Sequence, residues 1–351
     1  MARIVLYGSY GYTGNLIAEI AAKSDREVVL SGRDEEKLKE QSERVKIPYK
    51  TASLDSASDL DELLKDAEVV LHCAGPFVHT WKPMADACLR NGCHYLDITG
   101  EISVFESLKA MDRQFKEKKI MAMPGVGFDV VPTDCMAAWL HQQMPDATHL
   151  ELAFQGVGSG VSRGTAKTMI ENLGEGGAVR EKGIIKKVPA AYKTREIKSG
   201  DKAVRVVSIP WGDISTAHFS TGIDNIVVYT AMPEKMIQRM KWLNRLKPIF
   251  KSKRVRNWLK RKVDSRPEGP NSEKRMNGRS LIWGEVRNEK GDSLEGFIET
   301  KEGYQLTAEM AWNIVLKVSS GNWSAGYQTP SKAYGADLIL EIDGTTRNLK
   351  L

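Results

Sequence analysis

Three glycines, Gly8, Gly11 and Gly14, stand at three-residue intervals where a strand-like run gives way to a helix-like one. Arg3-Ile4-Val5-Leu6-Tyr7 is short, apolar and rich in β-formers, the pattern of a strand buried on both faces of a parallel sheet. From Tyr12 the residues change to helix formers, with Leu16, Ile17, Ile20 and Ala21 at helical spacing. A glycine-rich turn at such a junction lets main chain approach a diphosphate, whose charge the first-turn N–H groups and the positive helix end then receive. The spacing reads G-x-x-G-x-x-G, so the middle glycine sits one place later than in the G-x-G-x-x-G turn. Gly8, Ser9, Tyr10, Gly11, Tyr12, Thr13 and Gly14 are the expected diphosphate cradle, with a purely structural turn as the alternative.

The next strand candidate, Glu27–Gly32, decides which dinucleotide fits. An NAD site usually ends this strand with Asp or Glu, which accepts hydrogen bonds from the ribose hydroxyls. Here the end carries Ser31, Gly32 and Arg33. A guanidinium pairs with a 2′-phosphate and can lie over adenine, so the expected cofactor is NADP, held in part by Ser31 and Arg33. Asp34 is better placed as the N-cap of a helix over 35–44.

Strand and helix signals then alternate. Strands are expected at 49–52, 69–72, 95–98 and 119–123, and helices at 56–64 (capped by Ser56), 81–90 and 104–116. Strands separated by helices of this length imply right-handed crossovers and a doubly wound α/β sheet, with ligands beyond the carboxyl ends of the strands. The segments there are the glycine turn, Ala74-Gly75-Pro76-Phe77, Thr99-Gly100-Glu101 and residues 124–129. Beyond about residue 147 the pattern becomes one of half-exposed strands, at 149–154, 203–209, 225–229, 280–289 and 294–300. That implies a second, α+β domain with a mostly antiparallel sheet. The expected division is a Rossmann domain at 1–147, a substrate domain at 148–325, and a C-terminal helix and strand at 326–351 returning toward the first domain.

Charge is unevenly spread. The chain carries a net +6, but residues 235–262 hold twelve Lys and Arg and no acid, so taking them away leaves the remainder at −6. Pro248 divides this segment into two helices, one with Met236, Met240, Leu243 and Leu246 on one side, the other with Val255, Trp258, Leu259 and Val263 together. Two readings stay open: a helix pair with a solvated cationic face, or peripheral contact with an anionic membrane. Nucleic acid is not an expected partner, since no recognised module surrounds the patch. Four cysteines without zinc-like spacing and six scattered histidines give no expectation of a metal. The absence of an apolar span, and a first strand where a leader would lie, point to a cytoplasmic protein, peripheral at a membrane on the second reading. A homodimer is compatible with the sequence but not read from it.

Hydride chemistry draws its power from the cofactor, while the protein supplies orientation and a proton. Candidate proton carriers at the strand ends are Asp97, Glu101, Asp129 and Asp134. Asp129, beside Phe128 and Val130, has the surroundings that raise a carboxyl pKa. Capping or loop-holding roles are the alternatives for Asp97, Asp129 and Asp134. Tyr95 and His72 occupy positions expected in the core. Arg163, at the start of a helix after a glycine-rich turn, is a candidate for binding an anion or carbonyl.

Taken together, several stretches resemble the saccharopine dehydrogenase-like oxidoreductases, a group that includes the trans-acting enoyl reductases. They are Tyr7-Gly8-Ser9-Tyr10-Gly11-Tyr12-Thr13-Gly14, Ser31-Gly32-Arg33, Cys73-Ala74-Gly75-Pro76-Phe77, Tyr95-Leu96-Asp97-Ile98-Thr99-Gly100-Glu101, residues 124–134, Ser162-Arg163-Gly164-Thr165, Gly269-Pro270 and residues 326–330. The resemblance implies an NADP-binding domain, an α+β domain with the active site between the two, and hydride transfer to or from an unsaturated C–N or C–C bond. It also implies that Ala74, Gly75, Pro76 and Phe77 pass beneath the nicotinamide ribose. A dicarboxylate such as saccharopine needs several converging cations. Only Arg163, Lys167 and Arg180 are candidates, so an acyl-bearing or lipid-like small molecule is the preferred substrate. A non-catalytic NADP sensor, or a membrane-surface protein keeping the Rossmann domain, is the rival reading.

Overall fold

The computed structural model describes residues 3–199, 202–244 and 252–349. The chain divides into two units, one formed by Met1–Val131 with Tyr304–Tyr334 and the other by Pro132–Gly303 with Gly335–Leu351.

In the first unit the strands are β1 (Arg3–Tyr7), β2 (Glu27–Gly32), β3 (Tyr49–Thr51), β4 (Ala67–His72), β5 (His94–Asp97) and β6 (Met121–Met123). Their order is 3-2-1-4-5-6, all pairings are parallel, and a short strand, Gly326–Tyr327, adds outside β6. The order reverses between β1 and β4, and that switch point is where a doubly wound sheet opens a crevice for a dinucleotide. The crossovers are α1 (Tyr12–Ala21), α2 (Glu35–Val45), α3 (Ala57–Leu64), α4 (Phe77–Asn91), α5 (Ile102–Ala110) and α6 (Asp112–Glu117). Central strands read Ile4-Val5-Leu6 and Val69-Val70-Leu71 because both faces are covered, and these six residues are at most 1% exposed. Local signals set several helix starts. Asp34 accepts the Lys37 amide at 3.2 Å and Ser56 accepts the Asp59 amide at 3.2 Å, as the sequence predicts.

The second unit is built on a mixed sheet. β7 (His149–Val157) lies between β12 (Asn225–Ala231), to which it is parallel, and β13 (Arg279–Arg287), to which it is antiparallel. β14 (Ser293–Lys301) continues the sheet antiparallel to β13, and the strand Thr346–Leu349 joins β14. On the other side β11 (Lys202–Ser208) and β10 (Thr194–Ser199) pair with β12, as does β8 (Gly177–Glu181), which also pairs with β9 (Ile184–Val188). β8, β9 and β10 escape the sequence reading. Helix α7 (Val131–Gln143) packs on this sheet, where Gly284 and its cross-strand partner Gly296 leave room for Met136, Trp139 and Leu140. A Cβ at either glycine would come within 2.6–2.7 Å of those side chains.

The division therefore falls at residue 131, not 147, because α7 serves the second sheet. The long helix Gly303–Ser319 and the strand Gly326–Tyr327 return to the first unit, while residues 335–351 stay with the second. The expected C-terminal helix is short, Pro330–Tyr334, and ends at Gly335, whose φ is +86°. The remaining helices of the second unit are α8 (Arg163–Glu171), α9 (Asp213–Thr221), α10 (Glu234–Leu243), α11 (Lys253–Asp264) and α12 (Ser272–Asn277). Pro248 and Leu246 of the basic segment lie outside the described residues.

Candidate dinucleotide and proton-transfer site

Each glycine of the turn after β1 has a separate steric reason. Gly8 has φ +75°, and a Cβ there would lie 2.8 Å from both Cβ and N of Ala74, so the loop after β4 can lie against the turn only if residue 8 is glycine. A Cβ on Gly14 would lie 2.5 Å from the Gly8 carbonyl oxygen and 2.6 Å from that of Ser9, which locks α1 against the turn. Gly11 is different: its Cβ would meet only the Gly8 oxygen, at 3.3 Å. Gly11 is also the N-cap of α1, with no capping side chain and no acid in the first turn. The positive end of α1 is thus left open to an anion from outside.

A polar network that the sequence reading missed holds this turn. Gln41, on α2 and 4% exposed, donates to the Ser9 carbonyl at 2.8 Å and to Asn15 Oδ1 at 2.7 Å, and accepts from Ser9 Oγ at 2.7 Å. The Gly8 and Ser9 amides donate to the Ser31 carbonyl at 2.7 and 3.2 Å. The clue to Gln41 is its place three residues after buried Leu38, on the inward face of an otherwise polar helix.

At the end of β2, the Tyr10 ring lies over Gly32, where a Cβ would meet it at 2.5 Å. The Ser31 hydroxyl is turned away toward β3 and donates to the Lys50 carbonyl at 2.7 Å. Arg33 is exposed and makes no ion pair among the described residues. Asp34 is occupied by the Lys37 amide and by Lys37 Nζ at 3.1 Å, which together hold its carboxyl below the usual carboxylate range. Lys37 Nζ also lies 5.6 Å from the Tyr10 ring centroid, a second cation near this corner that the sequence reading passed over. Thr13 and Tyr12 lie in the first turn of α1, and the Tyr12 ring meets Tyr304 edge-on at 5.1 Å. An open helix end, a Cβ-free approach at Gly11 and an unpaired Arg33 fit a dinucleotide carrying a 2′-phosphate.

Three loops converge at the carboxyl ends of β4, β5 and β6. The first contains a cis Gly75–Pro76 bond and leads into α4. Glu101, after β5, gives its carboxylate to α4: Oε1 accepts the Phe77 amide at 2.8 Å and Oε2 the Val78 amide at 2.9 Å. This cap supplied from a distance explains why α4 begins at Phe77, four residues before the predicted start. The same loop is fixed from within by Thr80, whose hydroxyl donates to the Ala74 carbonyl at 2.7 Å and takes a hydrogen bond from His72 Nε2 at 3.1 Å. Burial pushes the His72 imidazole down to about 3, so it is neutral.

The carboxylates proposed from the sequence sort into distinct settings. Asp97 is fully buried and accepts from Tyr95 Oη at 2.6 Å, the Thr99 amide at 3.0 Å and the Gly125 amide at 2.9 Å. Burial outweighs those bonds and pushes its carboxyl up to about 6. Asp97 thus ties the loops after β5 and β6 together. Asp129, in the loop after β6, is half-buried, and its carboxyl lies against Gly100, where a Cβ would come 2.9 Å from Oδ2. Burial, and then the charge of Glu101, push Asp129 up to about 7. Asp134 belongs to the second unit, in the first turn of α7, where it accepts from Ser220 Oγ at 2.6 Å.

Arg163, also in the second unit, starts α8, whose N-cap Ser162 accepts the Thr165 amide at 3.2 Å. Its guanidinium is paired with Glu268 and donates to the Asp264 carbonyl at 3.3 Å. Lys167 pairs with Asp264 at 2.6 Å, and Arg180 donates to the Ile214 carbonyl at 2.7 Å. All three cations weighed for a dicarboxylate are thus engaged by protein. Among the described residues, no group of three or more His, Cys, Asp or Glu is placed to hold a metal, and no helix is long and apolar enough to cross a membrane.

Strand order, open helix end and glycine turn define the first unit as a Rossmann-type dinucleotide-binding unit. Comparison with known proteins makes this specific. Residues 4–123 match the saccharopine dehydrogenase NADP binding domain family, so this stretch is such a domain and the cofactor it is built for is NADP. The resemblance read from the motifs is borne out. A mouse protein named saccharopine dehydrogenase-like oxidoreductase is 28% identical over 203 residues, covering 51% of this chain and 47% of its own length. A Mycobacterium tuberculosis protein provisionally named a trans-acting enoyl reductase is 29% identical over 186 residues, covering 48% of this chain and 44% of its own. A Caenorhabditis elegans protein named lipid droplet localized protein is 28% identical over 198 residues, 51% of this chain and 46% of its own length. The chain spans about half the length of the curated relatives it matches. Apo saccharopine dehydrogenase (L-Glu forming) from Saccharomyces cerevisiae shares the fold, with a TM-score of 0.70 over all of both chains at 11% identity.

Proposed function

We propose that the chain is an NADP(H)-dependent oxidoreductase acting on a C=N or C=C bond, the latter of enoyl type, with the second unit as its substrate domain and Asp129 as its proton carrier. The observation that carries this reading is the open first turn of α1, with the unpaired Arg33 at the end of the neighbouring strand. The bound cofactor supplies or accepts the hydride. The turn from Gly8 to Gly14 seats the diphosphate, Arg33 pairs with the 2′-phosphate, and Ala74, Gly75, Pro76 and Phe77 form the floor beside the nicotinamide ribose. Reduction of an imine or enoyl bond leaves electron density on nitrogen or on carbon beside a carbonyl. A neutral carboxyl on Asp129 gives that atom its proton, and the carboxylate takes one back in the reverse direction. The engaged state of Arg163, Lys167 and Arg180 favours an acyl-bearing substrate over a dicarboxylate.

A fluorescence titration with NADPH and NADH, repeated for Arg33→Ala, tests this reading. Wild type should prefer NADPH, and the variant should lose roughly tenfold or more for NADPH with little change for NADH, the scale of one charge-assisted pair. If neither nucleotide binds, the turn is structural and the oxidoreductase reading falls. If NADPH binds but no enoyl or imine substrate turns over, the sensor reading takes its place.

A second reading concerns the basic segment. On α11, Arg256 donates to the Glu171 carbonyl at 2.9 Å and Lys260 pairs with the Glu171 carboxylate, so these cations face inward. Arg254, Trp258, Arg261 and Lys262 face outward without ion pairs among the described residues, and Trp258 is 54% exposed. On α10 the exposed Lys235, Arg239 and Trp242 lie opposite buried Ile237. Two outward tryptophans set among unpaired cations suit an anionic lipid surface. The name of the C. elegans relative supports this reading.

A further inference from the structure

The end of β2 offers a nucleotide almost nothing from the strand itself. The Ser31 hydroxyl is spent on the Lys50 carbonyl at 2.7 Å, and Gly32 has no side chain. The space over Gly32 is filled from the glycine turn instead. A Cβ on residue 32 would lie 2.5 Å from Tyr10 Cε1, 3.1 Å from Cζ and 3.3 Å from Oη, so the phenol end of the ring stands over the strand end. An acid of the kind that ends this strand in an NAD site cannot enter at residue 32 without displacing that ring. Exposed Arg33 follows directly. Lys37, in the first turn of α2, brings its Nζ to 5.6 Å from the Tyr10 ring centroid. A phenol hydroxyl, a guanidinium and an ammonium thus border one corner, and all three donate to phosphate oxygens.

The acid at this corner is Asp34, whose carboxylate would repel a phosphate. It accepts the Lys37 amide at 3.2 Å and lies 3.1 Å from Lys37 Nζ. The Lys37 side chain is 61% exposed, so this is a weak surface pair, and the ammonium keeps donors for a second acceptor. We propose that Tyr10 and Lys37 are specificity-determining residues for the cofactor. Lys37 masks Asp34 and shares its ammonium with the 2′-phosphate, while Tyr10 bars an acid from the strand end and donates its hydroxyl to the same phosphate. This rests on the reading of Arg33 as the phosphate partner and adds two residues to it. It also moves the Tyr10 side chain from the diphosphate cradle, where its place among the glycines put it, to the adenosine end.

The test is a set of NADPH and NADH fluorescence titrations of the full chain as wild type, Tyr10→Phe, Lys37→Gln, Lys37→Arg and Arg33→Ala. Lys37→Gln should weaken NADPH about tenfold and leave NADH unchanged or tighter, because the unmasked Asp34 can accept from ribose hydroxyls. Tyr10→Phe should weaken NADPH about fivefold with NADH unchanged. Lys37→Arg keeps the charge and should bind NADPH like wild type. Each residue stands or falls on its own variant: an equal loss for both nucleotides, or no loss for NADPH, overturns its role. If NADPH survives both substitutions but not Arg33→Ala, Arg33 alone reads the phosphate. If Arg33→Ala also binds NADPH like wild type, the placement of the phosphate at this corner falls as well.

Discussion

Gly11 and Gly14 look alike in the sequence, and the structure predicts opposite outcomes for replacing them with alanine. In Gly14→Ala the new Cβ falls 2.5 Å from Gly8 O, 2.6 Å from Ser9 O and 2.8 Å from Ser9 Cα, all main-chain atoms. Relief needs α1 and the turn to separate by roughly 1 Å. Overpacking of this kind costs about 1–3 kcal/mol, and three rigid neighbours put it near 3. Alanine returns about 1 kcal/mol of helix propensity, which leaves a net loss of about 2 kcal/mol. For a unit of this size that lowers Tm by about 4–8 °C. In Gly11→Ala the Cβ meets one oxygen at 3.3 Å with φ at −68°, so the stability cost stays under about 1 kcal/mol. The added methyl stands instead where the diphosphate would approach. Differential scanning calorimetry with an NADPH titration on both variants separates the effects: Gly14→Ala loses stability, Gly11→Ala loses nucleotide. Wild-type Tm in Gly14→Ala would refute the packing argument, and wild-type NADPH affinity in Gly11→Ala would refute the seat of the diphosphate.

Asp129→Asn should stabilise the apoprotein in a defined pH window. A carboxyl raised from 3.8 to about 7 stays neutral in the folded state while its unfolded counterpart ionises, so wild type loses stability as pH rises from about 4 to 7. About 3 pH units correspond to a ceiling of about 4 kcal/mol, or about 2 after allowance for partial exposure. Urea unfolding of both proteins should show no difference near pH 4 and an advantage for asparagine at pH 8. A difference independent of pH would refute the raised pKa. On the lipid reading, sedimentation with phosphatidylglycerol vesicles should pellet wild type but not Arg254→Ala/Arg261→Ala, since two surface cations contribute about 2 kcal/mol, about 30-fold in partitioning. Equal pelleting with neutral phosphatidylcholine vesicles would count against it.

Much of the first unit was legible because its rules are local. A run such as Val69-Val70-Leu71 between helical segments has few options other than a buried parallel strand, and Asp34 and Ser56 carry their capping information within three residues. Helix α7 shows where local reading fails. Its residues from Val131 to Ala137 are all buried, so the pattern has no single apolar face and does not say which sheet it serves. The answer lies in Gly284 and Gly296, some 150 residues away, whose missing side chains make the bed for Met136, Trp139 and Leu140. The basic helix α11 misled for a related reason. Counting Trp258 with Val255 and Val263 as one apolar side ignores Glu171, which draws Arg256 and Lys260 inward and turns the tryptophan out.

The same logic separates the carboxylates of the candidate site. Asp97, Glu101 and Asp129 each lie at or beyond the end of a parallel strand, and neighbours in sequence single out Asp129, between Phe128 and Val130, without saying what the other two do. Their partners do. Asp97 spends its oxygens on Tyr95, Thr99 and Gly125, and Glu101 spends its own on Phe77 and Val78. The bonds to Gly125, Phe77 and Val78 join loops that the sequence keeps 23 to 28 residues apart. A carboxylate saturated by main-chain amides is a poor proton carrier, because losing its charge would also weaken the bonds that hold the loops. Asp129 rests against Gly100 between apolar Phe128 and Val130, and burial pushes its carboxyl up to about 7. Asp97 and Glu101 are thereby the frame of these loops, and on the proposed function the proton falls to Asp129, whose raised carboxyl can carry one near neutral pH.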